Sequence, residues 1–499
     1  MPLPTDTKAT WPPPAHAGIA SDLAVADAWW TGDPNKLTTI YRGATPTGSR
    51  FRSFWSRSKQ PYQDANRTLE RVHVPVASDI AAIGADLLFG EELHITIPDA
   101  HGDTADPEAE KVEARLDELT DLINLQSTLL EAAEVAGGLG GVYLRPTWDQ
   151  ASAAHPLLAV IHADRAVPEW RWGRLTAVTF WSVVATEAGV VWRHLERHEP
   201  GVILTGLYAG DADHLGAMRP LTDRPETAGY EPEINIRTLL GVDGILPRYV
   251  PNVRPNHRHR SSPHGRPDTQ GLEPLMDALD EAYSSLMRDI DLGKRRIIVP
   301  AEFLERKGRG QGARFDTDQT VFSPLDMDPA NADKAGITLV DFAIRADEHL
   351  AVVTDLVQRI VSSAGYSPQS FGMQGDGAAI TATEVSAHEG LSERTTEKKA
   401  RYWHGPLADV LELLLVIDAK VFNSKVAPMR PVVECGHSDH RDPATMANTL
   451  NLIGMAQAAS IETKVRMLHP EWEKPQVDAE VAAIKAEQNL APDPTGGLP

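Results

Sequence analysis

Cysteine and histidine side chains near residue 435 are the first in this 499-residue chain that could do chemistry. The segment CGHSDH places Cys435, His437 and His440 close together, as a metal site or a nucleophilic site requires. A zinc site needs a fourth ligand, and the sequence points to none. A strand end that runs into a polar loop is therefore the stronger interpretation. A metal-dependent DNA-processing enzyme, such as a nuclease that uses carboxylates with His437 and His440, is kept as the alternative function.

A second candidate is the loop of small residues within FGMQGDGAAITATEV, which lies between two helical patterns. Its members are Gly372, Met373, Gln374, Gly375, Asp376, Gly377, Ala378 and Ala379. Glycine lets the backbone adopt unusual conformations and lets another molecule approach closely. Asp376 gives the loop one negative charge, which would repel phosphate. Taken alone, these residues indicate a solvent-exposed linker.

Two short basic runs are the third candidate. The first comprises Lys294, Arg295 and Arg296, and the second comprises Arg306, Lys307 and Arg309. The first run follows a predicted helix, so it either complements the helix dipole or contacts phosphate, and the sequence leaves both open. The second run lies in a predicted turn, where it either contacts an acidic partner or is simply solvated.

The motifs that the sequence lacks argue against several enzyme classes. It contains no G-x-x-x-x-G-K-[ST] phosphate loop, no G-x-S-x-G elbow and no H-E-x-x-H zinc helix. Abundant carboxylates make any one pair of them weak evidence for acid–base catalysis. We therefore predict no catalytic centre and no cofactor.

Charge and composition further narrow the classes of protein to which this chain could belong. The formal net charge is −22, which argues against tight nucleic-acid binding but not against a surface that DNA passes without adhering. The single cysteine excludes an internal disulfide. No apolar run reaches the roughly 18 residues of a membrane span, so no membrane association is predicted. Residues 1–24 and 489–499 are predicted to be a disordered leader and a disordered tail, since both are rich in proline.

In the first half of the chain, the elements that position these candidates are predicted to be both helices and strands. Apolar spacing predicts a helix that ends near Gly90, a strand over 92–97 and one continuous helix over 110–135. From 157 to 250, β-branched and aromatic segments separated by turn residues predict strands. The segment 251–268, rich in proline, histidine and arginine, is predicted to be an exposed loop. Trp29 and Trp30 are expected to pack in a core or an interface.

Helices dominate the second half. An apolar stripe predicts a helix from Leu272 to Gly293, about 33 Å long at 1.5 Å per residue. A small β unit follows, then a second helix over 346–365, and a long helix begins after residue 380. A strand near 429–436 and two or three helices over 442–488 complete an α+β chain.

Several stretches, taken in order, resemble the portal proteins of tailed double-stranded DNA phages, specifically the siphophage type. They are PVASDIAAIGADLLFGEEL, AGGLGGVYLRPTWD, HADRAVPEWRWGRLTAV and ITATEVSAHEGLSERTTEKKARYW, together with the helix–β–helix insertion. The resemblance spans roughly residues 25–488. Each motif alone is moderately specific, whereas their order and spacing are more specific together. The leader and the 251–264 loop match no general feature of the family.

The resemblance implies a portal fold that forms a ring, dodecameric in virions. It divides the chain into a leader (1–24), a wing (25–268), a stem helix (269–296), a β-rich clip (297–343), a second stem helix (344–370), a tunnel loop (371–380), a long wing helix and strand (381–436), a helical crown (437–488) and a tail (489–499). Residues 372–379 would then face DNA in the channel, and the basic run 294–296 would lie near the stem–clip junction.

The resemblance also implies partners and a location. The ring would occupy one capsid vertex at the head–tail junction, after assembly in the cytoplasm of a bacterial host. Double-stranded DNA would pass through it during packaging and ejection. The clip would dock the terminase large subunit and later the head-completion adaptor, and the ring would contact the major capsid and scaffolding proteins. ATP hydrolysis would come from the terminase, so the chain itself is predicted to be no enzyme.

Overall fold

The computed structural model describes residues 3–43, 71–98, 100, 106–293, 296–298, 305–306, 313–314, 338–340, 346–373, 382–435, 450–456, 458–469, 472 and 474–490. The chain divides into two compact units. The first comprises Met1–Ala378 and Ala387–Gly436, and the second comprises Ala379–Ser386 and His437–Pro499. Helices and antiparallel strands together confirm the predicted α+β class.

Helices begin and end as follows. They are α1 (Ala17–Thr31), α2 (Pro34–Gly43), α3 (Val76–Phe89), α4 (Pro107–Leu122), α5 (Leu125–Leu139), α6 (Ile236–Leu240), α7 (Glu273–Gly293), α8 (Ala346–Ala364), α9 (Ala382–Val421), α10 (Ile461–Leu468) and α11 (Lys474–Leu490). Residues 450–455 are also helical. The helices α7, α8 and α9 lie where apolar spacing predicts them.

Strands form several antiparallel sheets. They are β1 (His94–Thr96), β2 (Gly141–Thr147), β3 (Leu157–His162), β4 (Ala166–Arg171), β5 (Arg174–Glu187), β6 (Val190–Glu199), β7 (Val202–Gly210), β8 (Ala217–Arg219), β9 (Glu233–Ile234), β10 (Arg248–Pro251), β11 (Arg296–Ile298), β12 (Glu305–Arg306), β13 (Ala313–Arg314), β14 (Thr338–Val340) and β15 (Val432–Glu434). The largest sheet has the order β4-β5-β6-β7-β8, with β9 paired to β7. A second sheet has the order β10-β2-β3, and β1 pairs with β15.

The main core of the first unit surrounds α5. Leu129 on α5 is fully buried, and Phe89 at the end of α3 packs edge-on against Trp403 of α9, with ring centroids 4.9 Å apart. Small residues on α5 permit close packing, because a Cβ on Gly138 would lie 2.7 Å from the ring of Trp30. The helices α3, α5 and α9 therefore pack together, and α5 also packs against strand β2.

The predicted single helix over 110–135 is wrong, because the structure contains two. The helix α4 ends at Leu122, and Asn124 adopts a left-handed backbone with φ 50°. Asparagine tolerates this conformation better than most residues. The break turns the chain so that Leu125 and eight further residues of α5 are buried in the core. Tertiary packing thus overrides a continuous helical pattern.

The predicted disordered leader also differs from the structure over residues 3–24. Leu3 and Trp11 are buried in a cluster with Leu195 and Tyr208 of the large sheet. The backbone N–H of Trp11 donates to the carbonyl of Asp213 at 2.9 Å. Residues 17–24 of the predicted leader form the first part of α1. Its apolar side chains cover part of the sheet that water would otherwise reach, which favours the folded segment.

The segment 251–268 is largely irregular, as its composition predicts, but it is only partly exposed. Asn256 is buried, its side-chain amide donates to the carbonyl of Gly265 at 2.8 Å, and its Oδ1 accepts from two backbone N–H groups. His259 Nε2 lies 2.9 Å from Asp22 Oδ2 on α1. Asparagine side chains here replace the backbone hydrogen bonds that an irregular segment lacks.

Buried His264 makes this segment sensitive to acid. Burial, with repulsion from His16 and His259, lowers the pKa of His264 to about 3. The unfolded chain binds a proton near pH 6.5 and the folded chain does not, so stability falls as the pH drops below about 6.5. We expect a loss of about 2 kcal/mol between pH 7.5 and pH 5 from this residue.

Urea denaturation of the wild type and of His264→Gln at both pH values measures this contribution. The variant should show a smaller difference between the two pH values, because glutamine does not titrate. His214→Gln is the control, since His214 is half-exposed. An equal pH dependence in all three proteins would contradict the assignment.

The described part of the second unit is helical, as expected for 442–488. Ser460 caps α10, because its Oγ accepts from the backbone N–H of Thr463 at 3.1 Å. His469 stacks on Trp472 with ring centroids 3.8 Å apart, between α10 and α11. Val465 and Val477 are buried apolar residues of these two helices.

Candidate functional site

Two antiparallel helices, α7 and α8, lie where the resemblance places a channel stem. Met276 near the start of α7 shares a buried apolar cluster with Ile360 and Val361 near the end of α8. At the opposite end of the pair, His349 Nε2 lies 3.0 Å from Asp289 Oδ2. At 1.5 Å per residue, α7 is about 32 Å long and α8 about 28 Å long. The pair is therefore a rod that leads away from the core.

The segment between the two helices is a β unit in its described residues. Strand β11 pairs with β14, so Arg296 lies opposite Val340. Strand β12 pairs with β13, so Arg306 lies opposite Ala313. The other predicted basic residues, Lys294, Arg295, Lys307 and Arg309, lie outside the described residues. These pairs agree with the predicted β-rich character of the segment, whereas its role as a clip and the contacts of the basic runs stay predictions.

The helix pair is strongly acidic. Its sequence holds nine aspartates and glutamates against two arginines, a formal charge of −7. Asp280 is buried, but the other eight carboxylates still outnumber the two arginines, and such a surface repels a polyanion and does not hold it. Phosphate contact along these two helices would therefore be weak and transient.

Apolar side chains also lie on the outside of the helix pair. Val352 is 53% exposed and Leu350 is 49% exposed on α8, and Ile290 on α7 is exposed as well. Leu350 and Val352 lie two positions apart on α8 and therefore point to different sides of the helix. The pair thus combines an acidic character with single apolar side chains that are open to packing.

A buried ion pair fixes the core-side end of the helix pair to α9. Lys399 Nζ lies 2.6 Å from Asp268 Oδ2 and 2.7 Å from the hydroxyl of Tyr366. Asp268 precedes α7 and Tyr366 follows α8, and all three side chains are buried. Burial alone lowers the pKa of Lys399, but the Asp268 carboxylate outweighs it and the pKa is raised. Lys399 therefore stays charged at the point where both helices leave the core.

The chain between α8 and the predicted tunnel loop is bound to α9 by hydroxyl groups. Thr395 Oγ1 donates to the carbonyl of Gly365 at 2.6 Å. The backbone N–H of Ser367 donates to Ser392 Oγ at 2.9 Å, and Ser370 Oγ lies 2.9 Å from the same oxygen. These contacts hold the approach to the loop against one face of α9.

Only the first two residues of the predicted loop segment 372–379 are described. Gly372 is exposed and has φ 70°, a left-handed conformation that favours glycine, and Met373 follows it. The remaining members, Gln374, Gly375, Asp376, Gly377, Ala378 and Ala379, lie outside the described residues. The N-terminal side of the loop is thus held in place, and its contact with DNA stays a prediction.

Sequence reasoning missed Lys399 and Asp268. The signal was the buried stripe of α9, because Ser392, Thr396, Lys399 and Trp403 recur at spacings of three and four. A lysine on such a stripe requires a buried counter-ion. Nothing in the sequence identified Asp268 as that partner, since it lies 131 residues away.

The alternative metal site is only partly described. Cys435 is buried, and burial raises the pKa of its thiol to about 11, which opposes a reactive thiolate. His437 and His440 lie outside the described residues. Within the described part of the chain, no group of three histidine, cysteine or acidic side chains is arranged to hold a metal ion.

Comparison with known families favours the portal protein over the metal-dependent nuclease. Residues 247–491 match the family described as phage portal protein, SPP1 Gp6-like. The chain belongs to the phage portal proteins. A search of curated proteins found no match. The matched range contains the helix pair, the β unit and both members of the ion pair. Membership of this family gives the portal protein a structural role in the phage capsid.

The portal protein shows no membrane-spanning candidate in its described helices. None of them combines sufficient length with sufficient apolar character to cross a bilayer.

Proposed function

We propose that this portal protein forms a ring at one capsid vertex and conducts double-stranded DNA during packaging and ejection. The observation that carries the proposal is the acidic helix pair α7–α8. It connects the core to the β unit and lies within the matched family range. In a ring, these helices would line a channel whose charge keeps DNA mobile. The exposed Leu350 and Val352 would pack between neighbouring subunits.

The β unit over 297–343 would be the docking site at the outer end of the channel. It would bind the terminase large subunit during packaging and the head-completion adaptor afterwards. The helical residues 437–488 would form the crown, and the wing would contact the major capsid and scaffolding proteins. No catalytic step is assigned to the chain, because the motor that hydrolyses ATP would be the terminase.

Cryo-electron microscopy of the purified protein, classified without imposed symmetry, tests this proposal. A closed ring with a central channel wide enough for duplex DNA is the expected result, with α7 and α8 on the channel wall. A protein that stays monomeric or dimeric at high concentration and cuts DNA with added divalent metal would overturn it in favour of the nuclease alternative.

The loop that contains Asp376 gives a functional prediction. Asp376→Lys changes the charge by about +24 in a ring of twelve, so DNA phosphate would adhere to the loop and not slide past it. We expect ring assembly to persist and the amount of packaged DNA to fall several-fold, measured as nuclease-protected DNA in a packaging assay.

Two controls separate a channel effect from a general charge effect. Asp376→Asn removes the repulsion without adding a positive charge, so its effect should be smaller. Glu226→Lys makes the same charge change at an exposed position of the first unit, far from the loop in sequence, and should leave packaging unchanged. Equal packaging by Asp376→Lys and the wild type would show that the loop does not face DNA.

A further inference from the structure

The tip of the hairpin between β4 and β5 presents an unpacked tryptophan. Trp172 is 94% exposed. Trp170, two residues earlier, packs against Tyr249 with ring centroids 5.3 Å apart and so anchors the base of the hairpin. The hairpin is therefore a firmly based element with a large apolar side chain at its outer end.

The backbone of this turn does not require a tryptophan. Trp172 and Gly173 have φ 52° and φ 75°, the left-handed pair of a tight hairpin turn that favours asparagine and glycine. The next hairpin, between β5 and β6, makes the same kind of turn with Ala188 at φ 49° and Gly189 at φ 81°. A bulky residue in this conformation is costly, and such positions cluster at functional sites.

Two arginines flank the exposed ring. Arg171 and Arg174 are exposed, and neither forms an ion pair with any part of the chain that the structure describes. Tryptophan and arginine are the residues most enriched at the energetic centres of protein interfaces. The tip thus combines a free apolar side chain with two free positive charges, and it fits an acidic recess with an apolar floor.

An open pocket of about 320 Å³ with acidic side chains and an apolar lining lies beside the turn between α4 and α5. Leu93, Ile95 and Leu125 contribute its apolar lining. Glu92 and Asp121 contribute carboxylates, both exposed and both without an ion pair among the described residues. Its volume falls in the lower range of pockets that hold small organic groups.

Negative charges lie close together on the helix beside this pocket. Asp117 lies one helical turn before Asp121 on α4, and its pKa is raised by partial burial and by repulsion from Glu113 and Asp121. A positive group brought into the pocket would relieve this repulsion.

The pocket and the hairpin lie at opposite ends of α5. Leu125, the first residue of α5, lines the pocket. Gly140 and Gly141, just after the end of α5, lie close to Tyr249, against which the hairpin base packs. The 15 residues of α5 separate the two features by about 22 Å. Their separation suits a head-to-tail contact, in which each subunit offers one feature to each neighbour.

We propose that the hairpin tip of one subunit, Arg171 to Arg174, docks in the Glu92–Asp121 pocket of the next copy of this chain. Trp172 would bury its ring on the apolar lining, and the two arginines would pair with the carboxylates. The inference rests on the ring formation proposed above and names the surfaces that would close the ring.

The substitution Trp172→Asn separates assembly from folding. Asparagine followed by glycine suits this turn, so the thermal midpoint of the dissociated protein should stay the same or rise. Subunit association should weaken at least about tenfold, since a central tryptophan is lost, as measured by analytical ultracentrifugation over a concentration series. Ala188→Asn makes the same turn change in the neighbouring hairpin and should leave association unchanged.

Disulfide cross-linking tests the pairing directly. In the variant Arg174→Cys/Asp121→Cys, mild oxidation should give a ladder of covalent oligomers, because a head-to-tail contact links each subunit to two others. Each single variant should give none, since the native Cys435 is buried. If the wild type forms rings, the double variant gives no ladder and Trp172→Asn assembles normally, this inference is overturned and the proposed function is not. A wild type that forms no ring would instead contradict the proposed function.

Discussion

Replacement of Lys399 by methionine is expected to lower the free energy of unfolding of the first unit by about 3–5 kcal/mol. The ammonium group is the buried counter-ion of Asp268, and its removal leaves a carboxylate that water cannot reach. Asn252 would still donate to the other oxygen of Asp268 at 2.8 Å, but one neutral hydrogen bond does not offset a buried charge. Urea denaturation followed by tryptophan fluorescence measures the loss.

A matched control and a double variant make the result specific. Lys398→Met alters the adjacent, exposed lysine and should change stability by less than about 0.5 kcal/mol. Asp268→Asn/Lys399→Met removes both charges, so it should be less destabilised than Lys399→Met alone. If Lys399→Met and Lys398→Met unfold at the same urea concentration, the ion pair does not hold the helix pair to α9.

The position of this ion pair connects stability to the channel. Tyr366 donates its hydroxyl to Asp268 at 3.4 Å and begins the segment that leads into the predicted tunnel loop. In Lys399→Met, the backbone amides of Gly365 and Ser367 should therefore exchange hydrogen faster than in the wild type, before global unfolding. Thr395 and Ser392 would still bind the segment, so the change should be local.

Much of the helical framework could be predicted because it follows from local periodicity. The apolar stripe of α7 continues from Leu272 to Ile290 without a break, and the helix ends at Gly293. The break at Asn124 could not be predicted in this way, since Ile123 and Leu130 fit one helix face. The core decides that Leu125 is buried, and this information lies in residues distant along the chain.

Composition failed where distant partners determine the structure. The histidines and arginines of 251–268 suggest a solvated loop, yet Asp22 and Glu273 neutralise Arg258 from either side. The leader likewise has the proline content of a disordered segment. However, the ring of Trp11 packs against that of Trp181 in the large sheet, with ring centroids 6.3 Å apart. Both errors arise because single-sequence patterns report local preference and not the surfaces available for burial.

Asp280→Ala is expected to destabilise the first unit by about 3 kcal/mol or more, because one buried carboxylate serves three donors. Asp280 lies within α7 and is fully buried. Its Oδ1 accepts from the backbone N–H of Val74 at 2.8 Å, and its Oδ2 lies 2.9 Å from His73 Nδ1 and accepts from the hydroxyl of Tyr41. Alanine would leave all three groups unpaired.

The neighbouring carboxylate Asp277 provides the comparison for this prediction. It pairs with Arg71 at 2.8 Å but is partly exposed, so Asp277→Ala should cost less than about 1 kcal/mol. Asp280→Asn keeps one acceptor oxygen and should fall between the two alanine variants. Urea midpoints in this order would show that α7 is joined to the segment before α3 through a buried polar contact. Equal midpoints for the two alanine variants would show that apolar packing by Met276 and Leu279 suffices to make that joint.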